Sequence, residues 1–178
     1  MQSSSGGHST HLSVKMGVWL LMITIAILFG SLSLAYIVNG QTPRGFSIPW
    51  SFYANTIILL ASSILLHIGW VKRHEKVSGK ILRPAVLLGL TFLLSQSFAW
   101  YQLYDSGMDW ISSGQKVAYL YLLTALHALH LIGGIFFLIY VWVRYQRSGR
   151  KYLESAVFFW HFLGVLWVYL LCVLVVNA

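Results

Sequence analysis

The charged side chains of this 178-residue chain, twelve Lys or Arg and four Asp or Glu, all lie outside five long apolar stretches. The stretches cover residues 16–38, 50–71, 85–104, 117–143 and 155–176, and each contains at least twenty residues. At about 1.5 Å per residue, each can cross the roughly 30 Å hydrocarbon core of a bilayer as an α-helix. The sequence therefore predicts an all-α, polytopic membrane helix bundle with five transmembrane helices.

The segments outside these stretches are short. The longest connection, between residues 72 and 84, has about a dozen residues, so we predict a single membrane domain over residues 1–178. Residues 1–14 are rich in Ser, Gly and His and are predicted to form a disordered head. They lack the basic region and cleavage site of a signal peptide, so the first helix is expected to remain in the protein.

Basic residues are distributed unequally between the two ends of the predicted helices. One side carries Lys15, Lys72, Arg73, Lys76, Lys80, Arg83, Arg144, Arg147, Arg150 and Lys151, and the other carries Arg44 and Lys116. The excess of positive charge marks the first side as cytoplasmic, which predicts a cytoplasmic N-terminus and a C-terminus on the opposite, periplasmic side. The net charge of +8 is therefore explained by the orientation of the helices in the membrane, and no nucleic-acid partner is expected.

The candidates for a polar function inside the membrane are four histidines, together with Gln96. His127 and His130 are three residues apart and share a helix face. Counting the rise per residue, His130 lies about 20 Å and Gln96 about 18 Å from the inner ends of their helices, so they are predicted to meet near mid-membrane. His67 and His161 lie roughly 6 to 9 Å from the inner surface and could also meet.

Three functional interpretations of these histidines compete with a structural one. His67 and His161, on two helices at one depth, could bracket a haem iron. His127 and His130 supply two ligands of a metal site, and no carboxylate lies in the spans to complete it. A proton path would need a longer series of titratable groups. In the structural interpretation, which we adopt, each histidine hydrogen-bonds a neighbouring helix. We therefore expect no catalytic, cofactor-binding or metal-binding residue.

The fourth and fifth helices carry the most specific sequence motifs. Residues 124–134 resemble the TGxHGxHVxxG helix of subunit III of haem-copper respiratory oxidases, the cytochrome c and quinol oxidases. The residues kept from that motif are Thr124, His127, His130 and Gly134. Residues 154–167 resemble the same family's EAxxxYWHFVDxVW helix. The residues kept from the second motif are Glu154, Trp160, His161 and Trp167.

Weaker similarity covers the other helices and includes three departures. Residues 88–96 resemble the family's LGxxFxxxQ pattern, which ends at Gln96, and Trp19 matches its GxWLF opening. Where the family often has intramembrane carboxylates, this chain has Ile25, Ala99 and Gly164. The order and spacing of the motifs correspond to the five-helix form of the family, without the first two of seven helices.

The resemblance implies an accessory, non-catalytic subunit of a terminal oxidase in the bacterial inner membrane. Subunit I would carry the haems and the oxygen-reducing copper, and subunit II the electron-entry copper. This chain would hold no cofactor, would bind phospholipid, and would use the motif residues listed above for structure. Two alternatives stay open: the homologous accessory subunit of a nitric oxide reductase, and a stand-alone haem-binding membrane protein. The sequence does not distinguish cytochrome c from quinol as the electron donor.

Overall fold

The computed structural model describes residues 6–38, 48–71, 78–111, 113–148 and 152–177. Within these ranges the chain forms α1 (Gly6–Val38), α2 (Trp50–Val71), α3 (Ser78–Asp105), α4 (Gln115–Ser148) and α5 (Leu153–Val176). Each helix contains a stretch that is long and apolar enough to cross a membrane. The prediction of five such helices is confirmed, and their orientation remains a prediction from charge.

The helices are longer than the apolar stretches predicted. The structure corrects the disordered head over residues 6–14, because α1 already begins at Gly6, while residues 1–5 lie outside the described residues. Once the apolar span has formed a helix, each residue added to its end gains a hydrogen bond without a new nucleation step. Similarly, α3 begins at Ser78, ahead of the predicted span, and contains Pro84 in its interior. A helix packed against neighbours tolerates a proline there.

Helices α4 and α5 each contact three other helices within the described bundle. Helix α5 contacts α1, α2 and α4, while α4 also contacts α1 and α3, and α2 packs along α3. Consequently α4 and α5 are the most buried of the five spans, and α1 and α2 are the least buried. The helices that carry the two most specific motifs therefore form the centre of the bundle.

Two glycines, one on α3 and one on α4, leave room for large side chains of α5. A Cβ on Gly89 would lie 2.7 Å from the Cη2 atom of Trp160, and one on Gly134 would lie 2.8 Å from the Cδ1 atom of Leu163. Both distances are shorter than side chains tolerate, so the large residues of α5 occupy the space that a side chain would fill. This close contact explains why the motif has a glycine at position 134.

Candidate functional site

One ring from each of the five helices meets in the middle of the bundle. The five residues, which we call the ring cluster, are Phe29, Phe52, Phe92, His127 and Trp167, and all are fully buried. The ring of His127 lies 5.1 Å from that of Trp167, 5.8 Å from Phe92 and 6.4 Å from Phe29, measured between centroids. Trp167 also lies 5.0 Å from Phe92 and 5.9 Å from Phe52. Mixed edge-to-face and stacked contacts of this kind stabilise buried aromatic clusters.

His127 is held in this cluster by packing alone. Neither of its ring nitrogens has a hydrogen-bond partner in the part of the chain that the structure describes. The prediction that Gln96 meets His130 is wrong: Gln96 Oε1 accepts a hydrogen bond from Asn55 Nδ2 at 2.8 Å, and Gln96 Nε2 has no partner among the described residues. Depth in the membrane fixes the height of a side chain but not the rotation of its helix, and Gln96 faces α2.

The sequence analysis missed Asn55, which is the only Asn within the five predicted spans. It is fully buried, as is Gln96. Near the same end of the two helices, Ser51 Oγ donates to Gln102 Oε1. A polar side chain within a membrane span usually pairs with another polar group, so Asn55 could have been identified from its residue type. These two pairs connect α2 to α3 in their antiparallel packing.

Three tryptophans connect helices through hydroxyl groups. Trp160 Nε1 donates to Ser62 Oγ at 3.1 Å, and Trp167 Nε1 donates to Thr56 Oγ1 at 3.1 Å, so both indoles join α5 to α2. The third bond joins α3 to α4, from Trp100 Nε1 to Thr124 Oγ1 at 3.0 Å. The accepting hydroxyls donate in turn to backbone carbonyls, for example from Thr124 to Leu120 at 2.9 Å. The motif residues Thr124, Trp160 and Trp167 thus take part in interhelical hydrogen bonds.

His130 bonds its own helix. Its Nδ1 donates to the carbonyl oxygen of Leu126 at 2.7 Å, since a carbonyl can only accept, and its ring lies 5.6 Å from that of Phe29. In the neutral imidazole, Nε2 is then a hydrogen-bond acceptor. The expectation that each histidine bonds a neighbouring helix is therefore wrong for His127 and His130. Instead, His127 packs among aromatic rings, and His130 bonds the backbone of its own helix.

The prediction that His67 and His161 meet is confirmed. Their ring centroids lie 5.7 Å apart, and both line a groove of about 620 Å³ between α2 and α5. His67 is exposed and His161 is half-buried, with its Nε2 atom lacking a partner among the described residues. Within those residues, no group of three or more His, Cys, Asp or Glu side chains could hold a metal ion. Two imidazoles alone supply half of a structural zinc site.

The remaining motif residues lie at the edges of the bundle. Glu154 accepts an ion pair from Lys15 at 3.2 Å, which joins the start of α5 to α1, and Trp19 is exposed on α1. The positions at which carboxylates were expected by resemblance, Ile25, Ala99 and Gly164, are all buried. A Cβ on Gly164 would lie 3.2 Å from Ser63 Oγ. This interior is built for helix packing, with few polar groups available for chemistry.

Comparison with known proteins supports the motif resemblance. Residues 2–177 match the family described as Cytochrome c oxidase subunit III. Cytochrome c oxidase subunit 3 of Cyanidium caldarium is 29% identical over 93% of this chain and 68% of the relative. The probable cytochrome c oxidase subunit 3 of Rickettsia conorii is 30% identical over 73% of this chain and 47% of the relative. The corresponding Synechocystis sp. protein is 27% identical over 92% of this chain and 76% of the relative. The chain spans about half to three quarters of the length of these relatives.

Proposed function

Because the chain belongs to the cytochrome c oxidase subunit III family, we propose that it is an accessory subunit of a haem-copper terminal oxidase. Its partner subunits I and II would carry out the electron transfer and oxygen reduction. The observation that carries this proposal is the family match, which extends over residues 2–177 and thus over all five helices. The isolated chain would then not be an enzyme, although it belongs to an oxidoreductase complex.

The structure supports a scaffolding role through the contacts of the motif residues. His127 and Trp167 pack in the ring cluster, Trp160 bonds Ser62 on α2, and Gly134 allows α4 to approach α5. Each of these residues contributes to the packing between helices. A rigid five-helix unit of this kind can stabilise a neighbouring subunit and retain lipid at the contact.

Location and orientation belong to the same proposal. Positive charge at one end of the helices supports a cytoplasmic N-terminus and a periplasmic C-terminus in the bacterial inner membrane. Phospholipid would fill the grooves between helices on the outer surface of the bundle. The haem and copper of the complex would lie in the partner subunits, as the resemblance to the oxidase subunit III family implies.

Co-purification tests this proposal. A tagged form of the chain, extracted in a mild non-ionic detergent, should bring with it a haem-containing subunit and a copper-binding subunit. The purified complex should consume oxygen with reduced cytochrome c or quinol. Recovery of a complex that reduces nitric oxide but not oxygen would instead select the nitric oxide reductase alternative.

Examination of the pure chain addresses the other alternative. We expect no haem absorption from the chain once it is separated from its partners. A Soret band that persists in the pure chain and disappears in a His161→Ala variant would contradict the proposal and favour the stand-alone haem protein.

A further inference from the structure

Two histidines lie at one end of the groove between α2 and α5, which we call the histidine groove. Its volume of about 620 Å³ is within the range of sites that hold small organic ligands. His67 on α2 and His161 on α5 line it together with Leu60 and Val168, each seven residues away along the same helix. At about 1.5 Å per residue, the groove runs roughly 10 Å along both helices, from two imidazoles to two aliphatic side chains.

The walls of the histidine groove are held in a fixed register. Hydrogen bonds of 3.1 Å join α5 to α2, from Trp160 to Ser62 and from Trp167 to Thr56. Residue numbers rise along α5 as they fall along α2, so the two helices are antiparallel and these bonds prevent them from sliding. A ligand that enters between ordered walls loses little affinity to the ordering of the protein.

The two imidazoles leave a polar atom without a partner. Their ring centroids lie 5.7 Å apart, and the Nε2 atom of His161 is buried and has no hydrogen-bond partner among the described residues. The five apolar stretches contain no Asp or Glu that could supply one. A buried polar atom that stays unpaired is destabilising, so a ligand that bonds this nitrogen gains affinity.

The depth of the imidazoles selects the kind of ligand group. His67 and His161 lie roughly 6 to 9 Å from the inner ends of their helices, and thus within the hydrocarbon, where a net charge is costly. A carboxylic acid has one donor and one acceptor, as a neutral imidazole does, and proton transfer between them still leaves a neutral ion pair. With hydrogen bonds of about 2.9 Å, two rings separated by 5.7 Å can reach one carboxyl group.

The sequence next to this end of the two helices is basic. The adjoining basic residues are Lys72 and Arg73 after α2, and Arg150 and Lys151 before α5. The acidic residue in the first turn of α5, Glu154, is paired with Lys15 at 3.2 Å. Positive charge at a membrane surface attracts anionic amphiphiles, so this end of the groove favours the approach of an acid.

We propose that the histidine groove binds a free long-chain fatty acid. Its carboxyl group bonds His67 and His161. Its alkyl chain lies against Leu60, Val165 and Val168, which line the groove and are exposed. A phospholipid does not match this arrangement, because its phosphate stays at the bilayer surface, above the imidazoles. This inference does not depend on the oxidase function.

Photo-cross-linking of the full-length chain tests the proposal. The chain is reconstituted in phosphatidylcholine nanodiscs with a palmitic acid that carries a diazirine in its alkyl chain, and cross-linked residues are located by mass spectrometry. Unlabelled palmitic acid competes with this probe, as does methyl palmitate, which has the same chain without the acidic proton. We expect cross-links on α2 and α5, and competition by the acid that is at least about fivefold stronger. Equal competition would overturn the proposal, because a merely apolar groove does not distinguish the two.

Histidine variants locate the carboxyl group. His67 is exposed, so His67→Leu leaves the buried core intact. The matched control is His130→Leu, because His130 bonds its own helix and does not line the histidine groove. We expect cross-linking to fall at least about fivefold in His67→Leu and in His161→Leu, and to stay unchanged in His130→Leu. Unchanged cross-linking in His67→Leu, or an equal loss in His130→Leu, would refute the site.

The lipid composition of the nanodiscs distinguishes a fatty acid from a phospholipid. Half of the phosphatidylcholine is replaced by phosphatidylglycerol, and cross-linking of the wild type is divided by that of His67→Leu, which corrects for the amount of probe in the bilayer. An unchanged ratio supports the fatty acid. A ratio that falls to about one would mean that the phosphate of an anionic phospholipid occupies the groove, and the proposal would then be wrong.

Discussion

Replacing His127 by Leu should not destabilise the bundle. His127 is fully buried, and neither ring nitrogen has a partner among the described residues. Burying an unpaired polar group costs about 1–3 kcal/mol, and a leucine of similar volume removes that cost. The variant also loses the aromatic contacts of the ring with Trp167 and Phe92, which contribute about 0.5–1.5 kcal/mol. The net result is a free energy of unfolding that is unchanged or higher by about 1 kcal/mol.

Reversible unfolding by SDS, after refolding into mixed micelles, measures this difference. His127→Ala is the matched control, because it removes the same nitrogens but leaves a cavity, and its free energy of unfolding should lie about 2–5 kcal/mol below that of His127→Leu. A loss of more than about 2 kcal/mol in His127→Leu would refute the reasoning, since it would require a hydrogen-bond partner for His127 in the folded protein. The same outcome would reopen a chemical role for the histidine motif.

Three other predictions follow from the interhelical contacts and the charge distribution. Gln96→Leu should lower the free energy of unfolding by about 1–3 kcal/mol because it leaves Asn55 unpaired. Adding Asn55→Leu should recover most of that loss, and a double-mutant cycle by SDS unfolding measures the coupling between the two residues. Gly134→Ala should lower the free energy of unfolding by about 1–3 kcal/mol because its Cβ meets α5. Gly133→Ala should not, because nothing lies within 4 Å of its Cβ, and a loss at both positions would contradict this. A phosphatase reporter fused after Ala178 should be active in the periplasm, and cytoplasmic activity of the reporter would disprove the predicted orientation.

The number and approximate position of the helices could be predicted because charge is excluded from every span. Helix ends were less predictable: α1 begins at Gly6, since polar residues extend a helix that the apolar span has already formed. The depth of a residue was predictable from the rise per residue. Depth was sufficient to predict that His67 and His161 meet, because they lie at one depth on helices that pack together.

Helix rotation was the information that the sequence lacked. Gln96 lies near His130 in depth, yet it faces Asn55 on α2, and depth alone could not decide between these partners. The ring cluster was missed for a related reason. Aromatic residues make up 16% of this chain, so no single phenylalanine is conspicuous. Only packing shows that Phe29 and Phe92 contact His127 and that Phe52 stacks on Trp167.

The durability of oxygen reduction tests the accessory role most directly. The oxidase complex is purified with and without this chain, and oxygen consumption is followed over many turnovers. The account predicts that the complex lacking the chain keeps its haem spectrum, begins with substantial activity, and loses activity faster than the intact complex. Immediate and complete loss of activity, with the other subunits intact and assembled, would contradict the account, as would an unchanged lifetime over many turnovers.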